Sequence, residues 1–312
     1  MSIIKVEHVT KDYGQERGIF DVSFEIKQGE VFGFLGPNGA GKTTTIRHLM
    51  GFIKAQEGAL SINGKDCWKS AAIIKREIGY LPGELAFPKS MTGDQFIEFM
   101  AKERQISDLS RTEELKKTFE LDTSERIKEM SLGTKRKLAV VAAFMHNPQI
   151  LILDEPTSGL DPVMQERFIQ FILNEKSEGK TILLSSHIFS EVEATCDRIA
   201  IIKEGQLVST IEANDLKRNT NKTFKIEFTT FQDYQMFLTQ TTFMISIKRP
   251  EQNQIKLNLT DEKLQQLFTE LSEVEVQFIS EIKFTLEDYF MDFYDRKKTI
   301  ADGEENLRYG LH

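Results

Sequence analysis

The run Gly36-Pro37-Asn38-Gly39-Ala40-Gly41-Lys42-Thr43 constrains this chain more than any other segment. It follows the short apolar run Glu30 to Leu35, which reads as a strand. It precedes a stretch with Ile46, Leu49 and Met50 at helical spacing, and Gly51 is placed to stop that helix. The order is strand, glycine loop, helix. Small residues in such a loop let backbone N–H groups converge on phosphate oxygens, and the helix adds its positive N-terminal end. Lys42 puts a point charge on the β- and γ-phosphates, and the Thr43 hydroxyl can ligate Mg²⁺. An ordinary glycine-rich turn needs neither the strand before it nor the helix after it. The segment predicts ATP binding.

Two further strand ends carry chemistry. Ile150 to Leu153 reads as a buried strand that ends in Asp154-Glu155. Mg²⁺ prefers oxygen ligands and keeps several waters, so Asp154 is placed to hold it directly or through water. Glu155 can accept a proton from an attacking water, as a general base must. Two solvated charges at a strand end are the alternative, which the upstream loop disfavours. Thr181 to Leu184 is another strand, and Ser185-Ser186-His187 follows it. A lone histidine is usually structural, but this one lies beside the expected γ-phosphate. His8, His48, His146 and His312 lack such a setting. Tyr13, in Lys11-Asp12-Tyr13-Gly14, can stack on adenine; core packing is its alternative.

The chain has 312 residues, enough for a large α/β domain and something smaller. Ile4 and Val6 alternate, as do Val22, Phe24 and Ile26, in strand fashion. From Thr92 to Met145 the pattern is mainly helical, with Thr92 and Gln95 as a capping box and Phe96, Phe99 and Met100 on one face. Ile199 to Ile202 and Leu207 to Ile211 read as a hairpin. Arg218-Asn219-Thr220-Asn221 is a polar linker, which divides residues 1–217 from residues 222–298. The second region alternates around two helical stretches, near Tyr234 to Leu238 and Asp261 to Leu271, with one strand expected near Phe243 to Ile247. Its order, β-α-β-β-α-β, predicts a small α+β ferredoxin-like fold. A last helix starts at Thr285 with Asp288 as capping partner, and Leu286, Tyr289, Phe290, Phe293 and Tyr294 share one face. That stripe is either core or a contact with another subunit. Residues 299–312 form a polar tail.

The formal charge of -8 gives nucleic-acid binding no general support. Cys67 and Cys196 are the only cysteines and have no metal-ligand spacing. They are expected to be free core thiols, which fits a cytosolic compartment. The N-terminus has no signal-peptide layout. The longest apolar candidate, Leu138 to Met145, falls far short of the ~18 residues that span a bilayer. Action at a membrane would need another chain to supply the span.

Taken together these residues resemble the ATPase subunit of ABC transporters, over about Ile3 to Ile211, because the motifs stand in that family's order. Gly36 to Thr43 matches the Walker A loop, and Leu151-Ile152-Leu153-Asp154-Glu155 matches Walker B with the catalytic glutamate. Ser158-Gly159-Leu160-Asp161 matches the D-loop, His187 the switch histidine and Tyr13 the A-loop aromatic. Met130-Ser131-Leu132-Gly133-Thr134 stands where the family has Leu-Ser-Gly-Gly-Gln. It keeps the serine and the second glycine, while Leu132 and Thr134 depart. The resemblance implies an α/β P-loop NTPase of ABC type with a helical signature subdomain at about residues 85–145. Lys42, Glu155 and His187 would be catalytic. Tyr13, Gly36, Pro37, Asn38, Gly39, Ala40, Gly41, Lys42, Thr43 and Thr44 would bind ATP. Ser131, Gly133 and Thr134 would meet the nucleotide of an opposite copy, and Asp161 would also bind nucleotide.

One departure is larger. The family's Q-loop glutamine falls at Gly83 in Tyr80-Leu81-Pro82-Gly83-Glu84-Leu85. Glu84 is the expected stand-in, giving Thr43, Asp154 and Glu84 as metal-side residues. The Leu-Pro-Gly-Glu-Leu variant, the extra C-terminal domain and Leu286-Glu287-Asp288-Tyr289-Phe290 look like the branch that exports drugs, antibiotics and peptides. The implied protein is a homodimer at the cytoplasmic face of a membrane. It would hydrolyse ATP with Mg²⁺ and pull on separate permease subunits through the segment near Glu84 to Met91. Two other readings stand beside it. A soluble ABC ATPase acting on nucleic acid or ribosomes is disfavoured by the single ATPase domain, the lack of a coiled-coil insertion and the net acidity. A nucleotide-gated module without hydrolysis is disfavoured by Glu155 and His187.

Overall fold

Apolar runs with no polar alternation must be covered on both faces, and three such strands organise this structure. The computed structural model describes residues 1–217, 221–282 and 285–291. The chain forms two compact units, Met1–Ala213 and Asn214–His312.

The first unit begins with β1 (Ser2–Asp12), β2 (Gly18–Lys27), β3 (Val31–Leu35) and α1 (Lys42–Leu49). Next come β4 (Glu57–Ile62), β5 (Lys65–Asp66), α2 (Ala71–Glu77) and β6 (Ile78–Leu81). A helical stretch holds α3 (Gly93–Glu103), α4 (Ser110–Thr118) and α5 (Leu132–Phe144). The chain then alternates through β7 (Ile150–Asp154), α6 (Pro162–Ser177), β8 (Thr181–Ser186) and α7 (Phe189–Thr195), and closes with β9 (Arg198–Lys203) and β10 (Gln206–Glu212).

The alternating strands form an antiparallel sheet in the order β2-β1-β4-β5. Its inward residues Ile4, Val6 and Ile26 join Phe32, Phe34 and Leu49 in one core. The continuous apolar strands form the second sheet, β10-β9-β3-β8-β7-β6, in which β3, β6, β7, β8 and β9 run parallel. Every residue of β3, β7 and β8 is buried. Register decides what meets at the sheet's end: Leu35 pairs with Ser186, and Asp154 pairs with Ser185. The loops that leave β3, β7 and β8 therefore open at one edge, where α/β sheets bind ligands.

The helix boundaries follow local chemistry. Gln95 N–H donates to Thr92 Oγ1 at 3.2 Å, and Thr92 N–H donates to Gln95 Oε1 at 3.0 Å, so the capping box is complete. The helical stretch is tied to the core by a buried charge cluster. Glu175 of α6 pairs with Arg111 of α4 and with Lys180 at the entry to β8.

α8 (Ala213–Lys217) stands at the boundary. The second unit contains β11 (Asn221–Phe228), α9 (Phe231–Gln240), β12 (Ile245–Arg249), β13 (Gln254–Thr260), α10 (Leu264–Leu271) and β14 (Val276–Ile282). The sheet is antiparallel in the order β12-β13-β11-β14. Its own core includes Phe224, Ile226, Tyr234, Phe237, Leu257 and Leu267. β12 starts later than the alternation predicts. Thr241 and Thr242 hydroxyls donate to Glu270, and Phe243 N–H donates to Thr241 Oγ1, which holds that segment out of the strand. The last helix is capped as expected: Asp288 N–H donates to Thr285 Oγ1 at 3.2 Å. Leu286 and Phe290 are buried by the chain itself, so that part of the aromatic stripe is not an open contact surface. Phe293 and Tyr294 lie outside the described residues.

Candidate functional site

The loop after β3 is shaped by its glycines. Gly41 adopts φ 112° at the start of α1, where other residues are strained. A Cβ on Gly36 would sit 2.4 Å from the carbonyl oxygen of Ile202, so only glycine fits there. Gly39, at φ 83°, faces open space. Ala40 N–H donates to Pro37 O at 3.1 Å, which curls the loop; Asn38 lies at its crest between them. Lys42 is 5% exposed, and its ammonium donates to Gly36 O at 2.6 Å and Pro37 O at 3.2 Å. The cation thus lies inside the ring of backbone that a phosphate would enter. Thr43 and Thr44 follow in the first turn of α1.

Asp154 ends β7 fully buried. Thr43 Oγ1 donates to its Oδ2 at 2.8 Å, and Ser185 Oγ donates to its Oδ1. Adjacent strand residues point to opposite faces, so Asp154 and Glu155 would diverge if β7 continued. Glu155 instead takes φ 48°, in the left-handed region, at a cost of about 1–2 kcal/mol. Strain of this kind gathers at functional sites. The turn brings Glu155 beside Lys42, whose ammonium lies 3.1 Å from Oε1. Oε2 accepts from His187 Nδ1 at 2.6 Å. One carboxylate therefore joins the ends of β3, β7 and β8.

Tyr13 lies in the turn between β1 and β2, 53% exposed, with the Lys11 ammonium 5.5 Å from its ring centroid. It is open to a flat ligand and is not core. Ser131 caps α5, its Oγ accepting from Thr134 N–H at 3.0 Å and lying 2.8 Å from Thr134 Oγ1. Gly133 packs on the loop after β7: a Cβ there would meet Gly159 O at 3.1 Å. Asp161 caps α6 by accepting from Met164 N–H at 3.0 Å. These four residues start two helices and belong to no cluster with Lys42, Asp154 or Glu155.

Glu84 corrects the expectation that it replaces a glutamine beside Asp154. Its side chain is 92% exposed and lies 3.6 Å from Arg47. Gly83 takes the place instead, since a Cβ on it would lie 3.0 Å from Asp154 Oδ2. The turn after β6 turns the next side chain outward. Among the described residues no group of three or more His, Cys, Asp and Glu side chains is gathered as a metal site. The oxygens that suit Mg²⁺ are the Thr43 hydroxyl and the Asp154 carboxylate.

The sequence reading missed four site residues. Ser185 orients Asp154, and its signal was a polar residue inside a fully buried strand. Arg136 is buried behind the Ser131–Thr134 turn. Tyr80 in β6 has its hydroxyl pushed up to about 12, by burial and then by the charge of Asp154. Glu191 of α7 is buried, accepts from Ser186 Oγ at 2.6 Å, and is raised to about 7 by burial. Cys67 and Cys196 are free and buried, and burial raises both thiols to about 12, so neither is reactive.

Comparison with known proteins agrees with this arrangement. The family described as "ABC transporter" matches residues 19–158. The bacitracin transport ATP-binding protein BcrA of Bacillus licheniformis is 34% identical, over 93% of this chain and 96% of that protein. The linearmycin resistance ATP-binding protein LnrL of Bacillus subtilis is also 34% identical, over 69% of this chain and 70% of its own length. Among solved structures, the dimeric bacterial ABC transporter cassette MJ0796 superposes with a TM-score of 0.62 at 25% identity, covering 68% of this chain and 99% of that one.

Proposed function

Because this chain belongs to the ABC transporter ATP-binding family, and is an ATP-binding ATPase of that family, we propose that it is the energy-coupling subunit of an exporter. Two copies close head to tail on ATP, and hydrolysis reopens them while separate permease chains carry the cargo.

The observation that carries this reading is the double engagement of Glu155, with Lys42 on one oxygen and His187 on the other. Glu155 accepts the proton of the attacking water, as a base within hydrogen-bond reach does. Lys42 leaves Gly36 O and Pro37 O for the β- and γ-phosphates, where its charge offsets the charge built up in phosphoryl transfer. Thr43 and Asp154 would hold Mg²⁺, which neutralises phosphate charge when bound. Tyr13 offers its exposed face to adenine.

Ser131, Gly133, Thr134 and Asp161 stand at helix starts, where N–H groups suit an anion. On this reading Ser131, Gly133 and Thr134 face the nucleotide of the opposite copy, Asp161 contributes to nucleotide binding from the start of α6, and the dimeric state of the MJ0796 cassette supports that pairing. The names of the bacitracin and linearmycin relatives support an exported antibiotic or peptide as cargo. Among the described residues no helix is long and apolar enough to cross a membrane. On this reading permease chains supply the span, and this chain works at their cytoplasmic face, touching them through Glu84 to Met91. The accessory domain expected over residues 222–298 has the β-α-β-β-α-β order of a ferredoxin-like fold within its described part, β11 to β14, and on this reading it steadies the pair.

Glu155→Gln tests the reading. The variant should keep ATP binding, hydrolyse roughly 10²–10⁴-fold more slowly, and elute as an ATP-bound dimer with Mg²⁺. An unchanged rate removes Glu155 as the base, and failure to dimerise removes the head-to-tail pair. The exporter assignment stands or falls on whether the full chain co-purifies with a membrane protein whose loss abolishes efflux.

A further inference from the structure

Arg136 lies one turn inside α5 and is 2% exposed. Its guanidinium donates to three backbone carbonyls: Nε to Ser158 O at 3.0 Å, Nη1 to Pro82 O at 2.8 Å, and Nη2 to Gly83 O at 2.7 Å. Those carbonyls belong to two loops with different neighbours. Gly83 is packed against Asp154, close enough that a Cβ would lie 3.0 Å from Oδ2. Ser158 N–H donates to Glu155 O at 3.1 Å. One side chain thus grips the loop beside the metal-side carboxylate and the loop that carries the base.

The same turn of α5 is interlocked with the second loop. A Cβ on Gly133 would sit 3.1 Å from Gly159 O, and one on Gly159 would sit 3.0 Å from the Leu132 side chain. Close-packed groups move together, because little slack remains between them. Burial draws the Arg136 pKa down, while the charges of Asp154 and Glu155 act in the opposite sense. The planar fork of arginine reaches three acceptors at fixed angles, which the single ammonium of a lysine does not reproduce.

We propose that Arg136 is a positioning residue that couples the hydrolysis centre to the Ser131–Thr134 turn, through the backbone of Gly83 and Ser158. Position 83 has no side chain to make such a link, and Glu84 points away from it. Movement of either loop at the carboxylates is carried into the N-terminus of α5. The inference rests on the head-to-tail reading, in which that turn meets the partner copy's phosphate.

The test uses Arg136→Gln and Arg136→Lys in the full chain, each also combined with Glu155→Gln. Thermal midpoint, affinity for a fluorescent ATP analogue, kcat and the ATP-driven dimer are measured well below the midpoint. Nucleotide affinity should stay within about threefold of the parent, since Arg136 does not touch the loop that holds phosphate. Arg136→Gln should lower kcat roughly 10²-fold, the usual loss for slight misplacement, and weaken the ATP-driven dimer. Arg136→Lys should recover part of both and carries the comparison if the glutamine variant does not fold. A lowered midpoint with parental kcat and dimer means that Arg136 only supports the fold, which overturns the proposal. Loss of affinity equal to the loss of kcat overturns it too. If Glu155→Gln with Arg136 intact fails to dimerise, the head-to-tail reading falls and the proposal with it. A normal parental dimer with unchanged Arg136 variants removes the proposal alone.

Discussion

Nδ1 of His187 lies 2.6 Å from Oε2 of Glu155, a direct hydrogen bond between the ends of two parallel strands. The bond fixes the carboxylate without burying the ring, whose side chain remains 45% exposed. Glu155 therefore depends on His187 for its orientation, whereas the phosphate loop does not. We expect His187→Ala to cut kcat by roughly 10²-fold and to leave nucleotide affinity near the parent value. Single-turnover hydrolysis beside equilibrium binding checks this. Equal losses in both would place His187 in nucleotide binding instead.

Lys42 is expected to behave differently. It is buried, and it bridges the phosphate loop to Glu155. Lys42→Ala removes a charge that acts on bound phosphates and on the charge that builds during transfer. Hydrolysis should fall by at least roughly 10²–10³-fold, the weight of one electrostatic contact in a closed site, and affinity should fall with it. Turnover and nucleotide titration of the purified variant decide the matter; near-parental values for both would remove the phosphate assignment.

The legible part of the site shares one physical form. Gly36 to Thr43, Asp154-Glu155 and His187 each leave an apolar strand buried on both faces, and such strands are readable as runs. What a run does not carry is direction. Glu155 and Glu84 are both acidic residues just past a strand. The left-handed turn at Glu155 aims it at Lys42, while the turn at Gly83 leaves Glu84 in solvent beside Arg47. Arg136 was hidden for a related reason: its partners are carbonyls, which have no sequence signature. In the second unit the alternation was readable, but the start of β12 was set by Thr241 and Glu270, which are distant in sequence.

Glu175 makes a stability prediction. It is 1% exposed, and its two oxygens serve Arg111 and Lys180, with Lys180 also donating to Asn147 Oδ1 at 2.6 Å. Removing the carboxylate takes the buried partner from both cations and leaves Lys180, itself 1% exposed, with only Asn147 and the outlying Glu178, and Arg111 with only Glu114. Glu175→Ala should lower the unfolding free energy of the first unit by about 3–5 kcal/mol, the cost of breaking a buried pair on one side. Urea titration followed by a probe in the first unit measures it. A loss below 1 kcal/mol would mean that water reaches the cluster.

Glu191 predicts how stability changes with pH. Burial pushes its carboxyl from 4.5 up to about 7; hydroxyls of Ser186 and Thr157 oppose the rise, and the charge of Glu155 adds to it. One of its oxygens, Oε1, is buried without a hydrogen-bond partner, which fits a group that favours its neutral form. The folded chain then holds this proton more tightly than the unfolded chain does. Between pH 4.5 and 7 the folded state binds more protons, so stability falls as pH rises across that window. The contribution is fully present below about 4.5 and lost above about 7. Its size follows from the separation of the two values, on the order of 3 kcal/mol. Glu191→Gln keeps an acceptor for Ser186 and has no charge to bury. Its unfolding free energy should match the parent near pH 4.5 and exceed it by a few kcal/mol at pH 8. Chemical denaturation of both chains across that range tests the sign as well as the size. Parallel curves would show that Glu191 ionises in the folded chain as it does in the unfolded one, and a growing deficit in the variant would show that the carboxylate is stabilised where it lies.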